Sequence, residues 1–378
     1  MKVLMFSIDQ SILSDGSESE KRMKEYGSVL DELHIIIHTA PGFKEKQISE
    51  EVRAYPTNTV FKPFYFLGAY RIGRRIIHDS GFMIHDSYIT SQDAFTNIPA
   101  IFLKKRFGIP FQAQIHTDFL SPFFRRESLK NYIRYRLYCR SVQNAECIRV
   151  VSARIKNSLI STLNIPQSKI SILPVFVDIA RVRVHEPVTD LHKKYPEAYP
   201  IILMASRITR EKNIEAVCRA VRSYAGQFPS VLLLVVGDGS LRAALQKKYE
   251  KDGIRFEGAV SYETLLSYYK TADLFLISSN YEGYGRTVVE ALASGLPVLS
   301  ADVGIAREII QEGKTGMLLG EGPNEEEIMR KLNVLLSHTG YLEKLKQNAE
   351  EFSKKIAAPA KEEYLAKMRE GFEKCDNM

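Results

Sequence analysis

The chain of 378 residues has no apolar run approaching the length of about 18 residues needed for a membrane-spanning helix. An integral helical membrane protein is therefore not expected. Its four cysteines, Cys139, Cys147, Cys218 and Cys375, show no CxxC spacing, so neither a disulfide framework nor a zinc ribbon is indicated. Buried or incidental thiols in a reducing compartment are the expectation. The sequence also lacks a low-complexity tract and any internal repeat at a short fixed period. Met1-Lys2 runs straight into VLMFSID, a strand pattern ended at Asp9. It has neither the longer apolar stretch nor the small-residue cleavage site of a secretory signal. These absences lead to the expectation of a cytoplasmic protein.

What is present suits a soluble protein of two domains, with 45% hydrophobic and 26% charged residues. The net charge of +7 is uneven. Residues 1–183 hold 26 Lys and Arg against 17 Asp and Glu, whereas residues 184–378 hold 26 against 28. A basic first half suits nucleic acid, an anionic membrane face or a phosphorylated substrate, or is an ordinary solvated surface.

Short β-rich apolar runs alternate with helical patterns, which indicates α/β layering. The predicted strands of the first half are KVLMFSI, LHIIIHT, GFMIHDS, PFQAQIH, CIRVVS and ISILPV; those of the second are YPIILMAS, SVLLLVVGD, IRFEGAV, LFLISS and LPVLSA. Several are apolar almost throughout, as parallel strands covered on both faces are. Each half reads as a Rossmann-like sheet. The join is expected in residues 177–200, a polar stretch with Pro187, Pro196 and Pro200. The expected domains are 1–183 and 184–358, followed by a helical pattern broken at Pro359. Ligands of open α/β sheets gather beyond the carboxyl ends of the strands, so two facing sheets would form a cleft between the domains.

Residues 276–295, LISSNYEGYGRTVVEALASG, read as strand, loop and helix, the helix beginning near Arg286. Gly283 and Gly285 allow a sharp turn around Tyr284. Free N–H groups at the helix start, around Arg286, Thr287 and Val288, would form an anion site. Glu290, about one turn inside, would repel a phosphate beside it but accept two hydrogen bonds from a vicinal diol such as a ribose. Glu282, on the approach loop, would serve hydroxyls at the other end of the ligand. The pattern suggests a nucleoside diphosphate joined to a sugar, whereas a bare pair of glutamates eight apart would suit a solvent-facing helix equally well. In ILMASRITREKNIEAV, Arg207 and Lys212 lie between a strand end and a helix and suit phosphate neutralisation. VVGDGS is a strand with a glycine turn, short of a full GxGxxG, with Gly237 and Gly239 lining the same edge.

In this order, SRITREK, VVGDGSL, IRFEGAVSYETLLSYYKTADLFLISS, YEGYGRTVVEALASGLPVLSADVG and AREII with the following GKTG resemble the donor domain of the retaining glycosyltransferases of family 4, which have the GT-B fold. ITSQDAF, GIPFQAQIHTDF and IRVVSARIKNSL resemble the acceptor domain more loosely. The resemblance implies that Glu282 and Glu290 serve the donor sugar hydroxyls and the ribose. It implies a diphosphate clamp of Arg207 and Lys212, with the backbone from Gly285 to Val288 on phosphate and sugar. The base would lie at Gly258, Ala259 and Val260, and His116 would be the cleft histidine of the acceptor domain. Gly16, Gln92, Asp93 and Asp118 are the other acceptor-side candidates. The last helix, about 360–378, would cross back onto the first domain. Departures fall in the acceptor half or near the join: only Gly16 stands where a Gly-Gly pair is frequent, Val175-Phe176-Val177-Asp178 replaces Asn-Gly-Val-Asp, and Thr117 follows His116.

No Asp-x-Asp triplet occurs, so no metal and no cofactor are expected. The implied function is retaining transfer of a hexose-type sugar from a UDP-sugar, with GDP-mannose as the other donor, to a saccharide or lipid-linked acceptor. The alternatives are a nucleotide-sugar epimerase or phosphorylase of the same architecture, or a non-enzymatic nucleotide-sugar-binding protein. Residues 64–77 and 123–140 mix aromatics with arginines. They suit peripheral contact with an anionic membrane or amphipathic packing with a basic rim. Nothing beyond charge suggests nucleic acid.

Overall fold

A computed structural model of the chain describes residues 1–225, 228–251, 253–337 and 340–375. Two compact units emerge: unit 1 is Met1–Pro174 with the C-terminal stretch from Ala360, and unit 2 is Val175–Pro359.

Unit 1 is built on strands β1 (Lys2–Ser7), β2 (Glu32–Ile37), β3 (Lys46–Gln47), β4 (Val52–Pro56), β5 (Ser87–Ser91), β6 (Phe111–Ile115), β7 (Cys147–Val150) and β8 (Ile170–Ile172). Their order is β3-β4-β2-β1-β5-β6-β7-β8. All pairings are parallel except β3 with β4. Unit 2 contains β9 (Ile201–Ala205), β10 (Leu232–Val236), β11 (Ile254–Gly258), β12 (Leu274–Ile277), β13 (Val298–Ala301) and β14 (Gly316–Leu319). Their order is β11-β10-β9-β12-β13-β14, parallel throughout. The central strands are buried along their length, which is why their sequences are continuously apolar rather than alternating. In both sheets the chain winds outward first to one side of the initial strand and then to the other. The order therefore reverses beside β1 in unit 1 and beside β9 in unit 2, leaving a crevice at the carboxyl ends.

The strand expected at GFMIHDS lies one segment later, at β5. Met83 and Ile84 are exposed, whereas Ser87, Thr90 and Ser91 are buried. The hydroxyls are satisfied: Thr90 Oγ1 donates to Gln112 O at 3.2 Å, Ser91 Oγ shares a hydrogen with Thr96 Oγ1 at 2.6 Å, and Ser87 Oγ accepts from Met83 N at 3.1 Å. A core strand with three serine and threonine hydroxyls escapes a reading based on apolar runs. The short strands β3, β4 and β14 were not among the expected ones either.

Residues 175–183, expected to end the first domain, pack into unit 2. Val177, Ile179 and Val182 join its core, and Asp178 caps a short helix, Ile179–Val184, by accepting from Arg181 N at 2.9 Å. The final helix, Lys361–Glu373, belongs to unit 1. Gln112 Nε2 donates to Gly371 O at 2.7 Å, Arg149 Nη2 to Tyr364 Oη at 3.1 Å and Arg369 Nη1 to Val29 O at 2.9 Å. Cys147 and Cys375 are joined as a disulfide with Cα atoms 5.2 Å apart. This corrects the expectation of four unpaired thiols. Their separation of 228 residues hides the pairing from any local spacing rule. Cys139 and Cys218 are free.

Candidate functional site

Unit 2 gathers the donor-side candidates at the carboxyl ends of its strands. After β9 the chain forms a loop pinned by the fully buried Ile208. Ile208 N donates to Asp238 O at 2.8 Å, and Ile208 O accepts from Leu241 N at 3.0 Å. The loop after β10 lies so close that a Cβ on Gly237 would fall 1.9 Å from Ser206 O, and one on Gly239 2.4 Å from Ile208 O. Gly237 also has φ +131°. These glycines exist for backbone-to-backbone approach between two loops, a demand only glycine meets. Gly237 N donates to Gly258 O at 2.7 Å, which ties in the end of β11, where Ala259 is exposed and Val260 half-buried.

Lys212 and Glu282 form the centre of this edge. Lys212 Nζ donates to Glu282 Oε1 at 2.5 Å, and both side chains are largely buried. The same carboxylate oxygen accepts from Ser279 Oγ at 2.8 Å. Ser278 Oγ holds Lys212 O at 2.9 Å, and Asn280 N holds Glu211 O at 2.8 Å. The loops after β9 and β12 are thereby knitted together around the ion pair. Arg207 is placed differently: its guanidinium is 75% exposed and meets Glu211 Oε1 at 3.1 Å. The expected clamp is thus a fixed Lys212 and a solvent-facing Arg207.

Gly283, Tyr284 and Gly285 turn the chain into the helix Arg286–Ala293, with Gly285 at φ +90°. The turn rests on the loop after β13: Ile305 N donates to Tyr284 O at 2.7 Å, and a Cβ on Gly304 would meet that oxygen at 2.2 Å. Burial pushes the Tyr284 phenol up to about 12. No side chain caps the helix start, leaving the amides of Arg286 and Thr287 at an uncapped terminus with its positive dipole end. Val288 departs from expectation. Its N–H donates to Gly285 O at 3.0 Å, so it is not free for an anion.

Glu290 is 2% exposed and held on three sides. Arg286 Nε donates to Oε1 at 2.7 Å, Tyr262 Oη to Oε1 at 3.0 Å and Tyr269 Oη to Oε2 at 3.2 Å. A carboxylate has about four acceptor positions, so one remains while all three donors stay in place. Burial, with the Glu290 charge beside them, pushes Tyr262 up to about 12 and Tyr269 well above the usual phenol range. Arg286 also stacks over the Tyr262 ring at 5.3 Å. Tyr262, Tyr269 and Ser279 went unnoticed in the sequence. The readable signal was the seven-residue spacing of the two tyrosines on the helix Tyr262–Thr271, which puts both hydroxyls on one face.

Unit 1 carries the acceptor-side candidates beyond β1, β5 and β6. Gly16, at φ +74°, donates its N–H to Glu20 Oε2 at 2.6 Å. Gln92 Nε2 approaches Met5 Sδ at 3.9 Å, and the buried Asp93 pairs with Arg134. His116 Nε2 lies 3.4 Å from Gln114 Oε1, which Arg149 Nη1 also approaches at 3.3 Å. Arg149 in turn holds Tyr364 of the final helix. Burial first, then the charges of Arg149 and Arg22, push the His116 imidazole down to about 3, so it is neutral near neutral pH. Asp118 is buried just beyond it. Among the described residues no group of three or more His, Cys, Asp and Glu is placed to hold a metal ion. No helix among them is long and apolar enough to cross a membrane.

Two family models match in tandem: residues 30–181 match Glycosyltransferase Family 4, and residues 189–352 match Glycosyl transferases group 1. The chain belongs to this glycosyltransferase family. A similar glycosyltransferase of uncharacterised activity from Methanocaldococcus jannaschii is 26% identical over 86% of this chain and 81% of its own length. An alpha-monoglucosyldiacylglycerol synthase from Acholeplasma laidlawii is 29% identical over 42% of this chain and 40% of its own. Among solved structures, a sucrose-phosphate synthase from Thermosynechococcus elongatus superposes with a TM-score of 0.78 at 17% identity, covering 100% of this chain and 99% of that one. This likeness establishes the fold as that of the GT-B glycosyltransferases. Both units of this glycosyltransferase therefore carry their candidate residues where the fold opens its strand ends.

Proposed function

We propose that the chain is a retaining glycosyltransferase that moves a hexose-type sugar from a nucleoside diphosphate sugar to a saccharide or lipid-linked acceptor. A UDP-sugar is the favoured donor and GDP-mannose the other. The observation that carries this reading is the largely buried Lys212–Glu282 pair beside an uncapped helix start with a glycine turn. Lys212 has three N–H donors, so it can meet a diphosphate oxygen while keeping Glu282 oriented towards sugar hydroxyls. The amides of Arg286 and Thr287 add neutral donors, and Arg207 adds a solvent-facing cation. Together they would stabilise the departing diphosphate without a metal, a role in which one donor is worth about 3 kcal/mol.

In this reading the acceptor hydroxyl oxygen bonds to the anomeric carbon from the face on which the carbon–phosphate oxygen bond breaks. Its proton passes to the departing diphosphate oxygen. Neutral His116 positions the sugar or acceptor. Glu290 takes the ribose, for which Arg286, the most exposed of its three partners, would turn aside. The relative whose name specifies a glucosyldiacylglycerol product supports a lipid-linked acceptor.

The test is incubation with a panel of UDP- and GDP-sugars, with and without acceptor extracts. Release of free nucleotide only with acceptor supports transfer. Interconversion of the sugar without acceptor indicates an epimerase, and binding without turnover indicates a binding protein; either outcome overturns the proposal. Lys212→Ala should lower kcat by about 10²-fold, and Glu290→Gln should chiefly raise the Kd for nucleotide. Full activity in both removes the site assignment.

A further inference from the structure

Arg286 is the first residue of the helix Arg286–Ala293, which has no side-chain cap and no acidic residue in its first turn. The start of a helix carries the positive end of the backbone dipole, so it favours Asp or Glu and disfavours a cation. The ion pair that Arg286 makes is reversed as well. A basic residue four positions before a glutamate is the weaker order on a helix face. Helix stability therefore gives no reason for a guanidinium at this position.

The partner does give one. Glu290 is 2% exposed, and among the described residues Arg286 is the only cation paired with it, Nε lying 2.7 Å from Oε1. Tyr262 and Tyr269 supply neutral hydroxyls to the same carboxylate. Taking one partner from a buried ion pair is strongly destabilising unless the remaining charge is met again. Yet the Arg286 side chain is half exposed, and its guanidinium lies over the Tyr262 ring at 5.3 Å. That ring keeps a second guanidinium at 5.3 Å, that of Arg181, which is itself paired with Glu263. Tyr262 is thus supported whether or not Arg286 stays.

A nucleoside diphosphate carries both groups needed for an exchange. Its ribose diol brings two hydroxyl donors to a carboxylate with one acceptor position open, so one present donor must yield. Arg286 is the donor with most access to solvent, and once displaced it needs another anion. The diphosphate assigned to the amides of Arg286 and Thr287 lies at the residue from which this side chain springs. Helical side chains lean towards the N-terminus, so a change of rotamer brings the guanidinium to the helix start with the backbone in place. Lys212 and Arg207 differ in this respect. Their partners are Glu282 and Glu211, neither of which is assigned to the ribose.

We propose that Arg286 is a third cationic ligand of the diphosphate, held on Glu290 until ribose hydroxyls take its place there. Ribose recognition and phosphate binding then form a single exchange. A nucleoside without phosphates must break the Arg286–Glu290 pair and offers the guanidinium no anion in return, so the site discriminates against it. The inference rests on the donor site proposed above, in which Glu290 takes the ribose.

The test compares UDP and GDP with uridine and guanosine on the full chain and on Arg286→Ala. Calorimetry reads the diphosphates, and saturation-transfer NMR with competition reads the weaker nucleosides. The parent should bind the diphosphate far more tightly than its nucleoside. Arg286→Ala should weaken the diphosphate about 10- to 100-fold, the range of a charge-assisted hydrogen bond, and should leave nucleoside binding as strong or stronger. Arg286→Gln, which is neutral but can still donate to Glu290, should show the same pattern and serves if the alanine variant does not fold. Equal weakening of diphosphate and nucleoside overturns the proposal, because Arg286 would then be only a prop for Glu290. Unchanged diphosphate binding in the variants, or a parent that binds nucleoside as tightly as diphosphate, also overturns it. In each of these cases nucleotide still binds and the glycosyltransferase reading stands. If neither UDP nor GDP binds the parent chain, that reading fails first and this inference with it.

Discussion

The two units wind their central strands in the same order, β4-β2-β1-β5-β6-β7 in one and β11-β10-β9-β12-β13-β14 in the other, yet furnish the crevice at the reversal in opposite ways. Unit 2 closes its crevice with backbone. Gly237, Gly239 and Gly304 allow loops to touch, and every carboxylate of its candidate site is met by named donors: Glu282 by Lys212 and Ser279, Glu290 by Arg286 and two tyrosines. Unit 1 leaves its crevice open as a cavity, with an unmatched imidazole nitrogen on His38 and two lysines, Lys62 and Lys130, whose charge the lining does not offset. The same topology thus supplies a rigid polar cradle in one unit and an amphiphilic pocket in the other. A fold places a site, and side chains decide what it takes.

The largest expected effect tests whether the glycines of the two crevices differ as described. Gly237→Ala forces a Cβ to within 1.9 Å of Ser206 O at φ +131°. Backbone on one side and strain on the other leave no cheap relaxation, and the loss should reach about 4 kcal/mol. Gly16→Ala in unit 1 meets nothing within 4 Å, so only its left-handed φ counts, at about 1 kcal/mol. Urea denaturation of both variants checks the contrast. Equal losses would mean that the loops of unit 2 are not pinned by close approach.

This difference also explains what the sequence could disclose. Unit 2 was legible because its chemistry is local: Glu282, the glycine turn and Glu290 lie within nine consecutive residues, and Lys212 sits in the loop after one strand. The partners completing that site were less visible. Tyr262 and Tyr269 reach Glu290 from another helix, and a tyrosine on an amphipathic helix looks like core. The free amide expected at Val288 was lost to a local turn bond with Gly285, a detail of φ and ψ that residue types do not fix. Unit 1 was harder throughout. Its strand β5 is rich in hydroxyls, the partner of Cys147 is 228 residues away, and its cavity is assembled from segments that only the sheet order brings together. Asp93 was singled out, but His38 and Lys62 carry no motif.

A smaller effect uses pH to distinguish the units. Burial pushes His38 down to about 4, against the pull of Asp93, and burial likewise lowers His34 and His116. All three are in unit 1. An imidazole kept neutral by the fold does not penalise folding above its unfolded value near 6.5. As pH falls below that value the unfolded chain takes up the proton and the folded chain does not, so stability is lost until the folded value is reached. For His38, the interval from pH 6.5 to 5 corresponds to about 2 kcal/mol. Denaturation followed at both pH values should show a smaller decline in His38→Asn. An identical decline would mean that His38 is solvated and protonates freely, and with it the picture of a buried unmatched nitrogen would go.

The smallest effect concerns the satisfied cradle of unit 2. Tyr269→Phe keeps the ring, which packs edge-on to Phe275 at 5.5 Å, and removes only the hydroxyl that reaches Glu290 Oε2. Oε1, by contrast, is shared by Tyr262 and Arg286. A hydrogen bond to a charged group in such a setting is worth about 1.5 kcal/mol, and Tyr262→Phe, with Arg286 still on the same oxygen, should cost less. If Glu290 takes the ribose as proposed, bound ligand would restore part of the loss in Tyr269→Phe, a ribose hydroxyl taking up the freed position on Oε2. Thermal shifts with and without UDP or GDP read both quantities. Equal losses in the two variants would show that the carboxylate redistributes its bonds freely. The tyrosines would then be supports for the helix rather than the groups that hold Glu290 ready for a diol.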